Sequence, residues 1–158
     1  MPHLEYQGEE HEKLTDNDIA RLSAALLKND KFVGPLNLKG NELTDLAALE
    51  LSKAISRQGA RNLTKLDLSN NSFSGKAGTY IGQALIANSE YPLYKLTLEN
   101  VCLDNEGLVR ILEAVNANKN IIKLHCGIVT DSGLEIMAAK LKENTSLEEI
   151  TFQETKDA

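Results

Sequence analysis

The chain contains no tryptophan, and aromatic residues make up only 4% of its 158 residues. A hydrophobic core therefore has to be built mainly from aliphatic side chains. No apolar run approaches the roughly 18 consecutive residues that suggest a membrane-spanning helix, so we expect no membrane partner. The first ten residues have neither a basic flank nor an apolar stretch, so we expect no secretion signal.

Positive charge and cysteine are also scarce. The 17 lysines and arginines are outnumbered by 23 acids, which gives a formal net charge of −6. Because nucleic acid binding needs clustered basic residues, we expect no nucleic acid partner. The two cysteines, Cys102 and Cys126, are too few for a disulfide framework. We therefore expect a reduced, cytoplasmic protein.

Motifs that carry catalysis or bind metals are missing. The sequence contains no Gly-x-Ser-x-Gly, His-Glu-x-x-His or Cys-x-x-Cys. Residues 70–77 are similar to a phosphate-binding loop, but the first glycine is absent and Ala77 replaces the magnesium-binding hydroxyl residue. We therefore expect no enzymatic activity, no cofactor and no bound metal.

What the sequence does contain is one apolar spacing, apolar-x-x-apolar-x-apolar, that occurs six times. The middle residues are Leu4, Leu36, Leu66, Leu96, Leu124 and Ile150. The steps between them are 32, 30, 30, 28 and 26 residues. A period of about 20–50 residues indicates stacked strand–helix units, because one such unit cannot bury its own apolar face.

A second pattern, between these strings, predicts helices. Thr, Ser or Asp residues that can cap the first helix amides follow each polar turn. Acids there, such as Asp16 and Asp45, suit the positive end of the helix dipole. Apolar residues then recur at helical spacing, as in Ile19, Leu22 and Leu26. We expect four helices to be closed by an asparagine in the left-handed conformation: Asn29, Asn88, Asn118 and Asn144.

Together the two patterns predict an α/β fold in a single domain over residues 1–158. We predict strands near residues 3–6, 35–39, 65–69, 95–99, 123–126 and 149–152. We predict helices near residues 16–28, 45–57, 75–87, 105–117 and 131–143.

The chain resembles the leucine-rich repeat family, in its ribonuclease-inhibitor-like subtype with a full helix in each repeat of about 28 residues. The best match is Leu63-Thr-Lys-Leu66-Asp-Leu68-Ser-Asn-Asn71-Ser-Phe73. The resemblance implies a solenoid, a curved right-handed βα superhelix with a parallel sheet on the concave face and about five helices on the convex face. It also implies that Asn41 and Asn71 hold the turn asparagine, whose side chain satisfies backbone groups of neighbouring turns. The next equivalent position is Val101.

Within this family, the string Leu141-Lys-Glu-Asn-Thr-Ser-Leu147 and the variable repeat length are similar to the C-terminal repeat domain of tropomodulins. That resemblance implies an actin-regulating module, with actin as the partner. We favour a non-catalytic module that binds another protein through its concave face, since rigid repeat surfaces are commonly used that way. A third hypothesis is the recognition fragment of a larger immune receptor or bacterial effector.

Strand alternation predicts one candidate binding surface. If the strand leucines point into the core, the residues between them line the concave face. Three lysines then fall on consecutive strands about 4.8 Å apart, and we expect Asp67 and Glu99 to offset part of their mutual repulsion. The candidate binding residues are Lys65, Lys95, Lys123, Asp67, Tyr94, Ile122 and His125. The plainer interpretation is a solvated sheet face.

The last predicted strand, near residues 149–152, has no partner on its outer side. Lys140 stands where earlier repeats carry alanine, as suits a terminal repeat that faces water. An open strand edge is a template for pairing, so edge-mediated self-association is a further hypothesis.

Overall fold

The computed structural model describes residues 4–5, 13–29, 31–57 and 61–154, in which six strands alternate with five helices. The strands are β1 (Leu4–Glu5), β2 (Val33–Asn37), β3 (Asn62–Asp67), β4 (Lys95–Thr97), β5 (Lys123–Val129) and β6 (Glu149–Glu154). The helices are α1 (Asp16–Lys28), α2 (Asp45–Ser56), α3 (Ala77–Ala87), α4 (Asn105–Ala117) and α5 (Asp131–Leu141). Residues 3 and 6 of the predicted first strand lie outside the described residues.

The six strands form one parallel sheet in the order of the sequence, β1 to β6. Each strand pairs with the next so that the middle apolar residues of the repeats stand opposite one another. Leu36 pairs with Leu66, Leu66 with Leu96, Leu96 with Leu124, and Leu124 with Ile150. The predicted α/β solenoid of the leucine-rich repeat type is therefore confirmed, with the sheet on the concave face and the helices on the convex face.

The core lies between the sheet and the helices and is almost entirely aliphatic. The strand residues Leu66 and Leu96 and the helix residue Ile111 have no exposed surface, and Ile81 retains 1%. Phe32 and Tyr91 are among the few buried aromatic residues. Burial on this scale, at about 1.5–3 kcal/mol for each large aliphatic side chain, is what holds consecutive repeats together.

Helix α3 begins at Ala77, two residues later than the repeat pattern predicts. The Gly75 carbonyl accepts the Asp104 backbone N–H at 3.1 Å, which holds this residue to the next turn. The Ser74 hydroxyl donates to the Asp45 carboxylate of the preceding repeat, and its oxygen accepts the Lys76 backbone N–H at 3.3 Å. Lys76 is left in the capping position and makes no side-chain cap.

The helix-ending asparagines do not adopt the predicted left-handed conformation. The φ angles are −105° at Asn29, −130° at Asn88 and −102° at Asn118. The Asn118 side chain accepts the Asn120 N–H and donates to the Tyr91 carbonyl of the preceding repeat. Asn88, which donates to the Ile55 carbonyl, and Asn118 therefore tie repeats together through their side chains, whereas the Asn29 side chain accepts the Lys31 N–H of its own turn. Left-handed asparagines occur instead in the turns after the strands, at Asn70 and Asn100.

The turn asparagines form the predicted ladder. Asn71 accepts the Leu43 backbone N–H through Oδ1, and its Nδ2 donates to the Leu38 carbonyl one repeat away at 3.0 Å. Asn41 accepts the Leu14 N–H at 2.8 Å in the same way. In the next repeat the position is filled by Val101, which is 1% exposed and packs as an apolar residue.

The residues of the last repeat are less buried than those of the central repeats. Strand β6 is exposed along most of its length, and Phe152 retains 40% of its accessible surface. On α5, the position of the buried Ala84 and Ala114 is taken by Lys140, whose ammonium contacts the Glu113 carboxylate at 3.4 Å. The pairing of β5 with β6 shifts between His125 and Ile128, so Gln153 stands opposite Ile128.

Candidate functional site

Three lysines stand in line across the middle of the sheet, as the sequence predicts. Lys65 on β3 pairs with Lys95 on β4, which pairs with Lys123 on β5. The leucine that follows each lysine is buried, so the lysine side chains project from the opposite, concave face. We call these three residues the lysine strip. Its line continues on β6 with an acid, Glu149, which pairs with Lys123.

Tyr94 is held beside the lysine strip by both its backbone and its ring. Its N–H donates to the Thr64 carbonyl at 2.8 Å, and its own carbonyl accepts the Ile122 N–H at 3.0 Å. The Lys65 ammonium lies 5.4 Å from the centre of the Tyr94 ring, within the range of a cation–π contact. Tyr94 and Ile122 are both half-buried, so they form an apolar margin to the strip.

Asp67 lines the same hollow as Lys65 and Lys95 without forming an ion pair with them, so the expected partial offset of the lysine repulsion stays a prediction. Its carboxylate accepts the backbone N–H of Ser69 at 3.0 Å, just as Asn37 accepts the N–H of Lys39 in the preceding repeat. The side chain is thus used to close the turn that follows its own strand. Among the described residues, Asp67 makes no ion pair with a lysine.

His125 lies between two carboxylates that the sequence did not single out as site residues. Its Nε2 contacts Glu149 Oε2 at 2.5 Å, and its Nδ1 is 3.8 Å from Glu99 Oε1. The His125 side chain is 16% exposed, whereas those of Glu99 and Glu149 are 48% and 46% exposed. Both acids stand in the columns that strand alternation predicts, so the strand register could have indicated them.

The hydrogen bond from His125 holds the pKa of the Glu149 carboxyl below its ordinary value, against the opposing effect of desolvation. The positive charges of Lys123 and Lys95 act on that pKa in the same direction. Glu149 is therefore ionised at neutral pH and compensates the β5–β6 end of the lysine strip. Lys65, on β3, makes no ion pair with a described acid, and Asp67, which lines the same hollow, accepts the Ser69 N–H through its Oδ1.

A shallow hollow of about 220 Å³ opens on the concave face next to Lys65 and Lys95. It lies where the pairing of β2 with β3 shifts between Gly34 and Pro35, so that Pro35 stands opposite Lys65. Its lining consists of Pro35, Leu36, Asn37, Lys65, Leu66, Asp67, Lys95 and Thr97. The volume is below that of a typical small-molecule pocket, so the hollow suits a side chain better than a free metabolite.

Groups suited to catalysis or metal binding do not converge in the part of the chain that the structure describes. No cluster of three His, Cys, Asp or Glu residues there could hold a metal ion. Burial raises the pKa of the Cys126 thiol to about 11, which keeps it protonated and unreactive at neutral pH. None of the described helices has the length and apolar character needed to span a membrane.

Known proteins resemble the chain in fold and not in sequence. No protein-family model matches the sequence, and no curated protein matches it as a relative. The solved structure of leiomodin-1 actin-binding site 2 is similar with a TM-score of 0.65 and 18% identity, over 89% of this chain and 79% of that one. The tropomodulin C-terminal domain from Caenorhabditis elegans has a TM-score of 0.63 and 20% identity, over 86% of this chain and 83% of that one.

These two likenesses agree with the resemblance drawn from the residues. At 18–20% identity they establish a common fold and leave the binding residues of the chain to be argued from its own surface. The chain therefore has the leucine-rich repeat fold found in the tropomodulin and leiomodin domains.

Proposed function

We propose that the chain is a non-catalytic module that binds another protein through its concave face. The observation that carries this proposal is the lysine strip on a molecule of net charge −6. Among the described residues, none of its three lysines makes an ion pair, although acids outnumber basic residues in the chain. A row of like charges held at a fixed spacing favours a complementary, acidic partner.

The geometry of the strip suits an extended acidic segment that crosses the strands. Hydrogen-bonded strands hold the three lysines at a spacing of about 4.8 Å, so little of the protein needs to be reordered on binding. Tyr94 and Ile122 add apolar contact area beside the charges, and aromatic residues are enriched at protein interfaces. Asp67 and His125 complete the predicted binding residues in the adjacent column.

We expect neither cofactor nor metal to take part, and we expect no nucleic acid or membrane partner. The cytoplasmic location remains a prediction from the scarcity of cysteine.

Affinity capture with matched variants tests the proposal. The parent chain is compared with the strip variant, which carries Lys65→Glu, Lys95→Glu and Lys123→Glu. A control variant carries Lys28→Glu, Lys76→Glu and Lys119→Glu, which makes the same change in net charge at exposed positions outside the sheet. Each immobilised chain is exposed to cell lysate, and the bound proteins are quantified by mass spectrometry. We expect proteins that the parent and the control retain to be lost from the strip variant. Equal retention by all three folded chains would refute the concave-face proposal.

Actin is the second candidate partner. It is favoured by the fold likeness to a leiomodin-1 domain that is named as an actin-binding site. A pyrene-actin assay of pointed-end elongation, with and without the chain, distinguishes this candidate. Inhibition that the strip variant lacks would make actin the concave-face partner. Inhibition that the strip variant retains would place actin on another surface.

The third candidate is a recognition fragment of a larger receptor or effector. It is compatible with the same binding face, and the length of the full gene decides it.

A further inference from the structure

The last repeat leaves a set of apolar side chains partly or largely exposed. Each of them stands 26 residues after an apolar residue of the preceding repeat that is at most 3% exposed. They are Leu134, Ala138, Leu141, Leu147, Ile150 and Phe152. We call these six residues the open end. Among the described residues, no further helix covers the open end as α5 covers the preceding repeat. Contiguous exposed apolar surface of this kind marks an interaction site.

On the α5 side, the open end is a helical ridge. Leu134, Ala138 and Leu141 follow one another at steps of four and three residues, so they share one face of the helix. Ala138 holds the position that Gly82 holds two repeats earlier, and a β-carbon at Gly82 would lie 2.6 Å from the Arg110 carbonyl carbon on the next helix. The ridge therefore faces the place where another helix can pack against α5.

On the sheet side, the open end favours a helix over a strand as its occupant. Ile150 pairs with the buried Leu124, so Ile150 and Phe152 lie on the helix side of the sheet. A strand added beside β6 would extend the sheet and leave the α5 ridge uncovered. A helix laid against α5 would cover the ridge and both strand residues, as α5 itself packs against α4 and β5.

The charge of the last repeat decides which kind of helix fits. Residues 131–154 contain six acids and only two lysines. One of these lysines, Lys140, is turned toward the preceding repeat, where its ammonium contacts the Glu113 carboxylate at 3.4 Å. A second copy of the chain would bring two acidic surfaces together, which repulsion opposes. A helix with basic residues beside its apolar stripe is complementary.

We propose that the open end binds an amphipathic helix of a partner protein, with its apolar stripe on the α5 ridge and lysines or arginines on both flanks. The 11 residues of α5 span about 16 Å at about 1.5 Å each, so about three turns of the partner helix match the ridge. Apolar anchors at helical spacing are the usual way in which a helix binds such a groove. The site lies on the opposite side of the sheet from the lysine strip, so this inference does not depend on the proposed function.

Fluorescence titration with a synthetic helix tests this inference. The probe is acetyl-Lys-Lys-Leu-Ala-Lys-Trp-Leu-Ala-Lys-Leu-Ala-Lys-Lys-Leu-amide, whose apolar residues recur at helical spacing. Because the chain contains no tryptophan, the emission reports the burial of the probe alone. A control isomer of the same composition alternates lysine with apolar residues, so its apolar side forms only in a strand. We expect the isomer to bind at least about tenfold more weakly, since it loses the burial of one or more leucines.

Two matched variants locate the bound helix. Ala138→Arg places a long charged side chain in the centre of the ridge. Ala139→Arg makes the same change in charge at the adjacent exposed residue, which points away from the ridge. Both alanines are exposed, so both variants should fold, as circular dichroism verifies. We expect Ala138→Arg to weaken the probe at least about tenfold, and Ala139→Arg about threefold or less, the effect of one exposed charge. The strip variant should bind the probe at least as tightly as the parent.

Several outcomes would overturn the inference. Equal weakening by the two arginine variants would mean that the probe is held only by general attraction to acidic surface. Tighter binding of the alternating isomer would make a strand the occupant, and loss of binding in the strip variant would place the helix on the concave face. A dimer of the parent in sedimentation velocity that Ala138→Arg dissociates would make a second copy the occupant. Absence of saturable binding would also refute the inference and would leave the proposed function standing.

Discussion

Single polar side chains connect each repeat to the next, and the sequence indicates some of these connections but not others. The turn asparagine Asn71 is predictable, because the family resemblance gives it a role. The asparagines at the helix ends are not, because the same residue type can close a helix with its backbone or bind a neighbouring repeat with its side chain. The choice depends on carbonyls that come into reach only after the repeats stack, such as that of Tyr91.

Asn71→Ala should lower the free energy of unfolding by about 1–3 kcal/mol, because it removes the acceptor of the Leu43 N–H and a donor to the Leu38 carbonyl. Chemical denaturation followed by circular dichroism measures this change. Ser72→Ala is the control, since Ser72 is an exposed residue of the same turn. Equal stability of the two variants would show that water replaces the Asn71 bonds without cost.

The two cysteines should react at very different rates. Burial keeps the pKa of Cys126 at about 11, whereas Cys102 is exposed. At pH 8 a thiol reagent should therefore modify Cys102 rapidly and Cys126 only after unfolding, as counted by intact-mass spectrometry. Rapid double labelling of the folded chain would contradict the buried position of Cys126.

Stability should also fall at high pH, because a buried thiol and a buried tyrosine hydroxyl have raised pKa values. Desolvation raises the pKa of Cys126 from 9.0 to about 11 and that of Tyr91 from 10.0 to about 12. In each case the folded state holds the proton more tightly than the unfolded state. The corresponding stability is fully present below pH 9 and is lost as pH rises through 9 to 12. Denaturation midpoints recorded from pH 7 to 11 measure this, and Cys126→Ala should remove the earlier part of the decline.

At the scale of elements, close helix packing depends on glycine in ways that apolar periodicity does not reveal. The sequence places Gly78 in the apolar stripe of α3, but Gly82 also lies against the backbone of α4. A β-carbon at Gly82 would lie 2.6 Å from the Arg110 carbonyl carbon, and one at Gly78 would lie 2.8 Å from the Gly107 oxygen. Both contacts involve backbone atoms, which cannot move aside as a flexible side chain can.

Gly82→Ala should therefore destabilise the chain although alanine is the better helix former. Overpacking costs about 1–3 kcal/mol, and the gain in helix propensity of about 1 kcal/mol offsets only part of it. Thermal denaturation of Gly82→Ala measures the net effect, with Gln83→Ala on the exposed side of α3 as the control. A stabilised Gly82→Ala variant would mean that α3 and α4 are farther apart than the structure places them.

Self-association through the outer edge of β6 remains a prediction. The Glu149 N–H donates inward to the Ile122 carbonyl, so by alternation the backbone groups of Ile150 and Phe152 point outward. In an antiparallel pair of β6 strands centred on Thr151, Glu148 of one copy would face Glu154 of the other. Any pairing should therefore strengthen as salt screens these charges.

Sedimentation velocity at about 50 mM and about 500 mM salt tests this pairing. The exposed charges are weakly screened at the lower salt concentration and strongly screened at the higher one. Phe152→Asp should abolish association, whereas Leu46→Asp, at an apolar residue 63% exposed on α2, should leave it unchanged. A monomer at both salt concentrations would exclude edge pairing.

At the scale of the whole molecule, the repeat period, the helix signals between the repeats and the family resemblance together predict the fold. Each step between repeats places a leucine opposite a leucine, so the parallel register follows from the spacing of Leu36, Leu66 and Leu96. The same register predicts that the three lysines align. It does not predict where the side chains turn next, such as the acceptance of the Ser69 N–H by the Asp67 carboxylate. The contacts of Glu99 and Glu149 with His125 likewise depend on side-chain rotamers that the neighbouring residues set.

The measurement that most directly tests the account is the dissociation constant of a captured partner, determined by calorimetry for the parent and the strip variant at two salt concentrations. For the parent, we expect binding to weaken markedly between about 50 mM and about 300 mM salt, because exposed charges are screened within about 10 Å at 0.1 M. For the strip variant, Lys65→Glu, Lys95→Glu and Lys123→Glu, we expect at least about tenfold weaker binding at low salt, and little further loss at high salt. The outcome that contradicts the account is a folded strip variant that binds as tightly as the parent with the same salt dependence.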